Sequence, residues 1–300
     1  MTRCNTIKPS LGDKVFSAIA ISVLAVTMVL IVYPLLFVVN ASFSDPKELY
    51  QNPLLLYPKG FNINSYKLAF ENGDIWIGYR NSMLYMVLGT FINIVMTVMG
   101  AYPLSRKDFV GRNVLTFFYT FTMFFSGGLI PFFLVCKTLG LYNNIWVMVV
   151  PSAISVYNMI IMRTYFQSRI PKELEESAMI DGCTNFRMLL KIVLPLSAPI
   201  LAVMVLFYGV ANWNSYFTAL IFISKRELYP LQLVLREILI KNEMTKMLQI
   251  VTDEKYAERM VAQMGLKYVI VIVATLPIFI IYPLMQKFFK EGIMVGALKG

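Results

Sequence analysis

The side chains that usually carry enzymatic chemistry are scarce in this chain. It has no histidine among its 300 residues, which removes Ser–His–Asp and Cys–His catalysis, His-ligated zinc and His-based proton relays. Its only cysteines, Cys4, Cys136 and Cys183, are too few for a zinc ribbon or a disulfide framework. No glycine is followed by lysine, so the phosphate-binding loop of ATPases is missing. These absences predict that the chain is not an enzyme and holds no cofactor of its own.

One short segment gathers acidic and small residues. Glu173, Glu175 and Glu176 follow a proline that can begin a helix, and they fall near its N-terminus, where the helix dipole favours negative charge. Gly182 can turn the chain sharply, and Thr184 can cap a second helix. The segment predicts an amphipathic helix–turn–helix. From periodicity alone, it is also consistent with a surface helix on lipid headgroups.

A second set combines aromatic rings with amides, a pairing suited to sugars because rings stack on C–H faces and amides bond to hydroxyls. Tyr208, Asn212 and Tyr216 recur at i, i+4 and i+8, which predicts one shared helix face. Helix–helix hydrogen bonding and interfacial anchoring are the alternatives, and for the stripe of Gly89, Asn93 and Thr97 packing is favoured. The whole candidate set is Asn93, Tyr157, Asn158, Tyr208, Asn212, Trp213, Asn214 and Tyr216.

The elements that must position these residues follow from composition. The chain is 58% hydrophobic and 15% charged, whereas soluble domains carry about 25% charge. A bilayer core needs roughly 20 apolar helical residues. Runs without charge predict an all-α membrane protein, a single transmembrane domain over residues 1–300 with six spans. They lie at approximately 15–44, 81–105, 113–136, 142–163, 193–224 and 268–286.

The placement of lysine and arginine predicts the orientation. With both termini in the cytoplasm, the inner segments are the N-terminal tail 1–14, the loop 163–191, the tail 287–300 and the short 106–112 connection. They hold 14 of the 27 basic residues and seven of the 17 acidic ones. The first apolar run is too long for a signal peptide. Inner-leaflet lipid accounts for the basic excess, so no nucleic-acid partner is expected.

Several interruptions are expected within these segments. Ser126-Gly-Gly128 and Pro131 should weaken the third span, and Pro195 and Pro199 should kink the fifth. The outer loop 225–267 shows helical spacing at Leu231–Ile240 and Asp253–Met264. This loop is either a docking surface for a binding protein or a solvated cap.

A longer pattern surrounds the acidic segment. Glu176-Ser-Ala178, three residues, Gly182, nine residues and Ile192-x-Leu194-Pro195 resembles the E-A-A–x3–G–x9–I–x–L-P motif of bacterial ABC-importer permeases, with Ser177 in place of the usual first alanine. Further segments look like the carbohydrate-uptake branch, closest to the maltose-type, LplC-like permeases for complex oligosaccharides. They are Phe125–Pro131, Leu139-Gly-Leu141, Trp213-Asn214, Pro230-Leu-Gln232 and Gly292–Gly300.

The resemblance implies a permease subunit in the bacterial cytoplasmic membrane that imports a sugar, expected to be an oligosaccharide. Its implied partners are a second homologous permease, two ATPase subunits that bind ATP and Mg, an extracytoplasmic solute-binding protein and membrane lipid. The 163–191 loop would hold the coupling helix, with ATPase-coupling residues Glu175, Glu176, Ser177, Ala178, Asp181 and Gly182. Gly292, Gly296 and Lys299 would place the tail between the ATPases, unless the tail is disordered. The aromatic and amide set becomes the candidate translocation path.

Two other classes make different demands. A secondary transporter or channel predicts ionisable residues inside the spans, and the six uncharged runs contain none. An intramembrane serine protease of the rhomboid kind needs a histidine, which is absent. The sequence does not distinguish an acidic sugar polymer from a neutral oligosaccharide.

Overall fold

The computed structural model describes residues 10–51, 54–247, 265–283 and 286, and helices are the only regular secondary structure in these ranges. The predicted all-α class is confirmed. In chain order the helices are α1 (Leu11–Phe43), α2 (Glu48–Gln51), α3 (Asn64–Glu71), α4 (Gly73–Ser105), α5 (Arg112–Phe124), α6 (Leu129–Thr138), α7 (Val156–Arg169), α8 (Lys172–Ile180), α9 (Asn185–Met188), α10 (Leu194–Leu196), α11 (Ala198–Trp213), α12 (Phe217–Phe222), α13 (Leu231–Met247) and α14 (Gly265–Pro283).

Three of these helices, α1, α4 and α14, are long and apolar enough to cross a membrane. Two bent pairs pass the same test when each is taken as one span. They are α5 with α6, bent by 116°, and the stretch Asn185–Leu196 with α11, bent by 83°. The described residues therefore contain three to five candidate spans, and the six-span topology stays a prediction.

The second predicted span begins earlier than the uncharged run indicated. The Asn72 side chain accepts a hydrogen bond from the Asp74 N–H and so caps α4, which starts at Gly73 rather than at residue 81. Asp74 and Arg80 lie inside the first turns of the helix. Locating a helix from its uncharged run leaves out charged residues at its start. An acid in the first turn nevertheless favours a helix.

The third predicted span is not one continuous helix. α5 ends at Phe124 and α6 begins at Leu129, after Gly128 with a φ of +85°. Left-handed backbone of this kind costs glycine little. The break falls at Ser126-Gly-Gly128, the segment expected to weaken the helix.

The fourth predicted span, 142–163, is wrong as a continuous helix. A 3₁₀ turn at Ile145–Met148 is followed by irregular chain, and α7 begins only at Val156, where the Ser155 side chain caps it by accepting from the Asn158 N–H. Pro151 lies in the irregular part and has no N–H for a continued helix.

The fifth predicted span is divided as well. A π turn at Leu189–Val193 leads into α10, the chain bends at Ser197, and α11 ends at Trp213. The bend lies between Pro195 and Pro199, as expected. α12 is a separate helix, so the predicted helix from 193 to 224 is wrong in its outer third.

The chain divides into two compact units. The first contains residues up to Glu71 and residues 244–273. In it, the Asn40 amide donates to the Leu55 carbonyl at 3.2 Å, and the Ser42 and Tyr66 hydroxyls are 2.9 Å apart. These bonds hold the loop after α1 and helix α3 against the end of α1.

The second unit contains residues 72–243 and residues from 274 onward. Helix α4 packs against α7 and α11, and the core between them includes Met159, Met162 and Met204. Gly89 lets α11 approach, because a Cβ there would lie 2.8 Å from the Asn212 amide nitrogen. α4 is thus the central helix of this unit.

Candidate functional site

Helix α8 forms the predicted helix of the acidic loop. It begins after Pro171 and ends with the Gly182 N–H bonded to the Met179 carbonyl and the Cys183 N–H bonded to the Ala178 carbonyl. This pair of bonds is the Schellman motif. Gly182 has a φ of +73°, so glycine suits this turn.

A second helix follows directly. The Thr184 hydroxyl accepts from the Arg187 N–H and caps α9, which continues through the π turn to Leu196. The structure therefore has the helix–turn–helix that the sequence predicted.

The predicted coupling residues lie on two faces of α8 and its C-terminal turn. Glu176, Ser177, Asp181 and Gly182 are exposed. Ala178 is buried in the core of its own chain, and Glu175 is half-buried. The outer face also carries Ile180, whose exposure is 87%. This exposed surface therefore combines the acids at 176 and 181 with an apolar side chain.

Arg106 lies behind α8 and is only 7% exposed. Its Nε and Nη2 donate to the two carboxylate oxygens of Asp108, both at 2.9 Å, and its Nη1 lies 3.7 Å from Glu175 Oε2. The pKa of Arg106 is raised above its usual value, chiefly by the bonds to Asp108, and the same bonds lower the pKa of Asp108. Both groups stay charged at neutral pH.

Sequence reasoning missed this arginine as a site residue. It is the first charge after an uncharged run, with an acid two positions later, and that signal indicates only a helix end. A cavity of about 630 Å³ adjoins it, lined among others by Arg112, Arg163 and Glu176. The cavity brings charges of both signs together at one end of α4 and α7.

The candidate path amides on α4 and α11 bond to each other and to polar groups of neighbouring segments. The Asn93 amide donates to the Ser152 carbonyl at 2.5 Å and accepts from the Asn212 amide at 3.0 Å. Asn212 also donates to the Thr90 hydroxyl at 3.4 Å. Asn93 is buried, and its amide joins α4, α11 and the irregular segment before α7.

Two aromatic members of the set are buried too. The Tyr208 hydroxyl lies 2.6 Å from the Thr97 hydroxyl and accepts from the Ser155 N–H at 3.3 Å. The Trp213 indole N–H donates to the Ala274 carbonyl at 2.9 Å. Both rings therefore fasten α11 to its neighbours.

The remaining candidates lie elsewhere. Tyr157, Asn214 and Tyr216 are exposed, and Asn158 is buried. Tyr216 follows the end of α11, so the predicted face of Tyr208, Asn212 and Tyr216 is wrong. The i, i+4, i+8 spacing requires one uninterrupted helix.

The opposite end of α4 holds the segment that precedes α13. The Asn81 amide donates to the carbonyls of Glu227 and Tyr229 at 2.7 and 3.0 Å, and Arg226 pairs with Asp74 at 2.6 Å. The first predicted helix of the outer loop, Leu231–Ile240, lies within α13.

Other predicted features fall outside the described residues. They are the second helix of the outer loop at 253–264, Cys4, and the tail residues Gly292, Gly296 and Lys299. Within the described part, Cys136 and Cys183 are free thiols, and no group of three or more acids and cysteines is placed to hold a metal ion.

Comparison with known proteins assigns the family. Residues 75–295 match the family described as "Binding-protein-dependent transport system inner membrane component". The chain is 36% identical over 300 residues to Protein LplC of Bacillus subtilis, covering all of both chains. It is also 36% identical over 288 residues to the polygalacturonan/rhamnogalacturonan transport system permease protein YtcP of the same species, covering 96% of this chain and 99% of the relative.

A solved structure agrees with these relatives. It is described as a bacterial ABC transporter involved in the import of the acidic polysaccharide alginate, and it aligns with a TM-score of 0.85 and 30% identity over 95% of this chain and 100% of that chain. The chain therefore belongs to the inner-membrane components of binding-protein-dependent transport systems, as a multi-pass protein of the cytoplasmic membrane.

Proposed function

We propose that the chain is a permease subunit of a bacterial ABC importer that moves an oligosaccharide into the cell with ATP hydrolysed by partner subunits. The observation that carries this proposal is α8 with its Gly182 turn, because the helix projects acids and Ile180 outward at the E-A-A-like motif. The full-length similarity to transport permeases supports it.

The proposal assigns α8 to an ATPase subunit. Glu176 and Asp181 would pair with basic groups there, Ile180 would enter an apolar part of the cleft, and Ser177 permits close approach. Glu175 and Ala178 would support this surface from behind, because they face their own chain. ATP and Mg would be bound by two such ATPase subunits and not by this chain.

The same proposal includes the other subunits of the importer. A second homologous permease would complete the translocation path, and an extracytoplasmic binding protein would dock on the outer loop. The predicted topology, six spans with both termini in the cytoplasm, would put α8 on the ATPase side. Reporter fusions after residues 14, 170, 240 and 300 test the topology, and a cytoplasmic signal at residue 240 would contradict it.

Oligosaccharides are proposed because of what the relatives transport. YtcP is described for polygalacturonan and rhamnogalacturonan, and the solved relative for alginate. Another relative, AraQ of Bacillus subtilis, 25% identical over 280 residues, is described for arabinooligosaccharides. These names include acidic and neutral sugars, so the substrate panel needs both.

Uptake in proteoliposomes tests the function. The complete importer should take up a labelled oligosaccharide from a panel of galacturonate, alginate and arabinose oligomers only with ATP inside and its ATPase subunits present. Omitting the binding protein should abolish uptake. Uptake that continues without the ATPase subunits would refute the proposal and favour a secondary transporter.

A further inference from the structure

We propose that Arg106 is a positioning residue that anchors α8 to the cytoplasmic end of α4, so that movement of α8 is passed to α4. The inference rests on the proposed function, because it gives α8 the role of ATPase contact. It assigns to Arg106 and Glu175 a task within the chain and not at the ATPase surface.

The first support is the number of elements that one guanidinium contacts. Arg106 pairs with Asp108 in the loop after α4 and lies 3.4 Å from the Tyr102 hydroxyl on α4 itself. Its Nη1 approaches Glu175 on α8, and Nη1 is also 3.5 Å from the Met188 sulfur on α9. One side chain thus joins α4, α8 and α9.

The second support is burial. The Arg106 side chain is 6% exposed and the Glu175 side chain 23%, whereas that of Asp108 is 63% exposed. A buried charge is stable only when it is paired, and a planar guanidinium can donate two parallel N–H bonds to one carboxylate while its third nitrogen faces another. Asp108 accepts from Nε and Nη2 of the guanidinium. Nη1 is left to pair with the Glu175 carboxylate on α8.

The third support is the surrounding geometry. Arg112 donates to the Arg106 carbonyl at 3.4 Å, and Ala178, one turn of α8 beyond Glu175, is buried in the same core as Tyr102 and Met188. The ion pair therefore lies beside an apolar contact that fixes the same helix. Two contacts one turn apart set the rotation of α8 as well as its distance from α4.

The test uses the complete importer with the substitution Glu175→Gln, which removes the charge and keeps the shape. The matched control is Glu173→Gln, two positions earlier on α8 and exposed. Hydrogen–deuterium exchange of residues 172–183 reports the anchoring, and sugar molecules transported per ATP hydrolysed report the coupling.

We expect Glu175→Gln to speed exchange in this segment by about three- to tenfold, since opening α8 no longer breaks an ion pair. It should also lower the transport-to-ATP ratio while the ATPase subunits still co-purify. Arg106→Lys, which keeps the charge without the planar fork, should give an intermediate exchange rate. Glu173→Gln loses only the helix-dipole interaction that both glutamates share, so it should exchange more slowly than Glu175→Gln and keep the wild-type transport-to-ATP ratio.

Equal exchange in the Glu175→Gln and Glu173→Gln complexes would overturn the inference, and so would faster exchange with an unchanged transport-to-ATP ratio. Failure of the proposed function has a different signature. In that case uptake by the wild-type importer does not require ATPase subunits, while the exchange measurement still decides whether Arg106 anchors α8.

Discussion

The bonds of Asn93 to Asn212 and to Ser152 allow a decisive test of whether these amides pack helices or contact the transported sugar. Replacing Asn93 by alanine removes its donation to the Ser152 carbonyl and its acceptance from Asn212. Hydrogen bonds between membrane helices contribute on average about 0.6 kcal/mol each and at most about 1.7. Two such bonds give an expected loss of about 1–3 kcal/mol in the free energy of unfolding.

A double-mutant cycle separates the two bonds. The free energies of unfolding of Asn93→Ala, Asn212→Ala and the double variant are measured with sodium dodecyl sulfate in mixed micelles. The coupling free energy is the difference between the loss in the double variant and the sum of the losses in the single variants. We expect about 0.6 kcal/mol of coupling for the bond between the two amides. Asn214→Ala is the control, because this amide is exposed, and it should change stability by less than about 0.5 kcal/mol.

Two results would refute the packing role. In the first, Asn93→Ala is no more destabilising than Asn214→Ala. In the second, the coupling free energy is below about 0.3 kcal/mol, the scatter of independent sites. If stability is unchanged and the KM for uptake rises, Asn93 contacts the sugar instead.

Three further predictions address other parts of the molecule. Gly182→Arg strains the turn locally, because φ is +73° there, but its Cβ meets no atom within 4 Å, so the chain should stay in the membrane while sugar-stimulated ATP hydrolysis is abolished, as an ATPase assay of the purified complex would detect. Trp213→Phe should lower stability by about 1–3 kcal/mol in thermal unfolding, because it loses the bond to the Ala274 carbonyl and the smaller ring leaves a cavity at a fully buried position. The folded-state pKa of Asp108 is lowered, so its ion pair with Arg106 stabilises above the unfolded pKa and is lost only as pH falls through the folded value. The Tm difference between wild type and Asp108→Asn should therefore be equal at about pH 7 and pH 5 and should shrink only below about pH 4.

The sequence predicted elements whose signal is local. Missing charge located α1, α4 and α14, and the proline, three glutamates and Gly182 located the helix–turn–helix around α8. However, the absence of charged residues from a run does not indicate whether the helix in that run is continuous. The irregular segment before α7 and the end of α11 at Trp213 both lie within apolar runs. In the segment before α7, backbone groups bond to side chains on α4 and α11.

The arrangement of the candidate site needed the structure because its partners are far apart in the sequence. Arg106 meets Glu175 across α5, α6 and α7, and Asn93 meets Asn212 across 119 residues. An amide in an apolar run predicts that a partner exists, because an unpaired polar group is costly there. It does not predict which residue the partner is.

The partners of the α4 amides lie far later in the sequence, and this separation determines when α4 acquires them during synthesis. Asn81 leaves the ribosome well before its two carbonyl partners, which lie 146 and 148 residues later, and Asn93 well before Ser152 and Asn212, which lie 59 and 119 residues later. At about 5–20 residues per second, Asn212 follows Asn93 by about 6–24 s. For that interval the carbonyl oxygen of the Asn93 side chain lacks its Asn212 donor. Chains truncated before residue 212 never acquire the Asn212 donor, so the Asn93 carbonyl oxygen lacks this partner permanently.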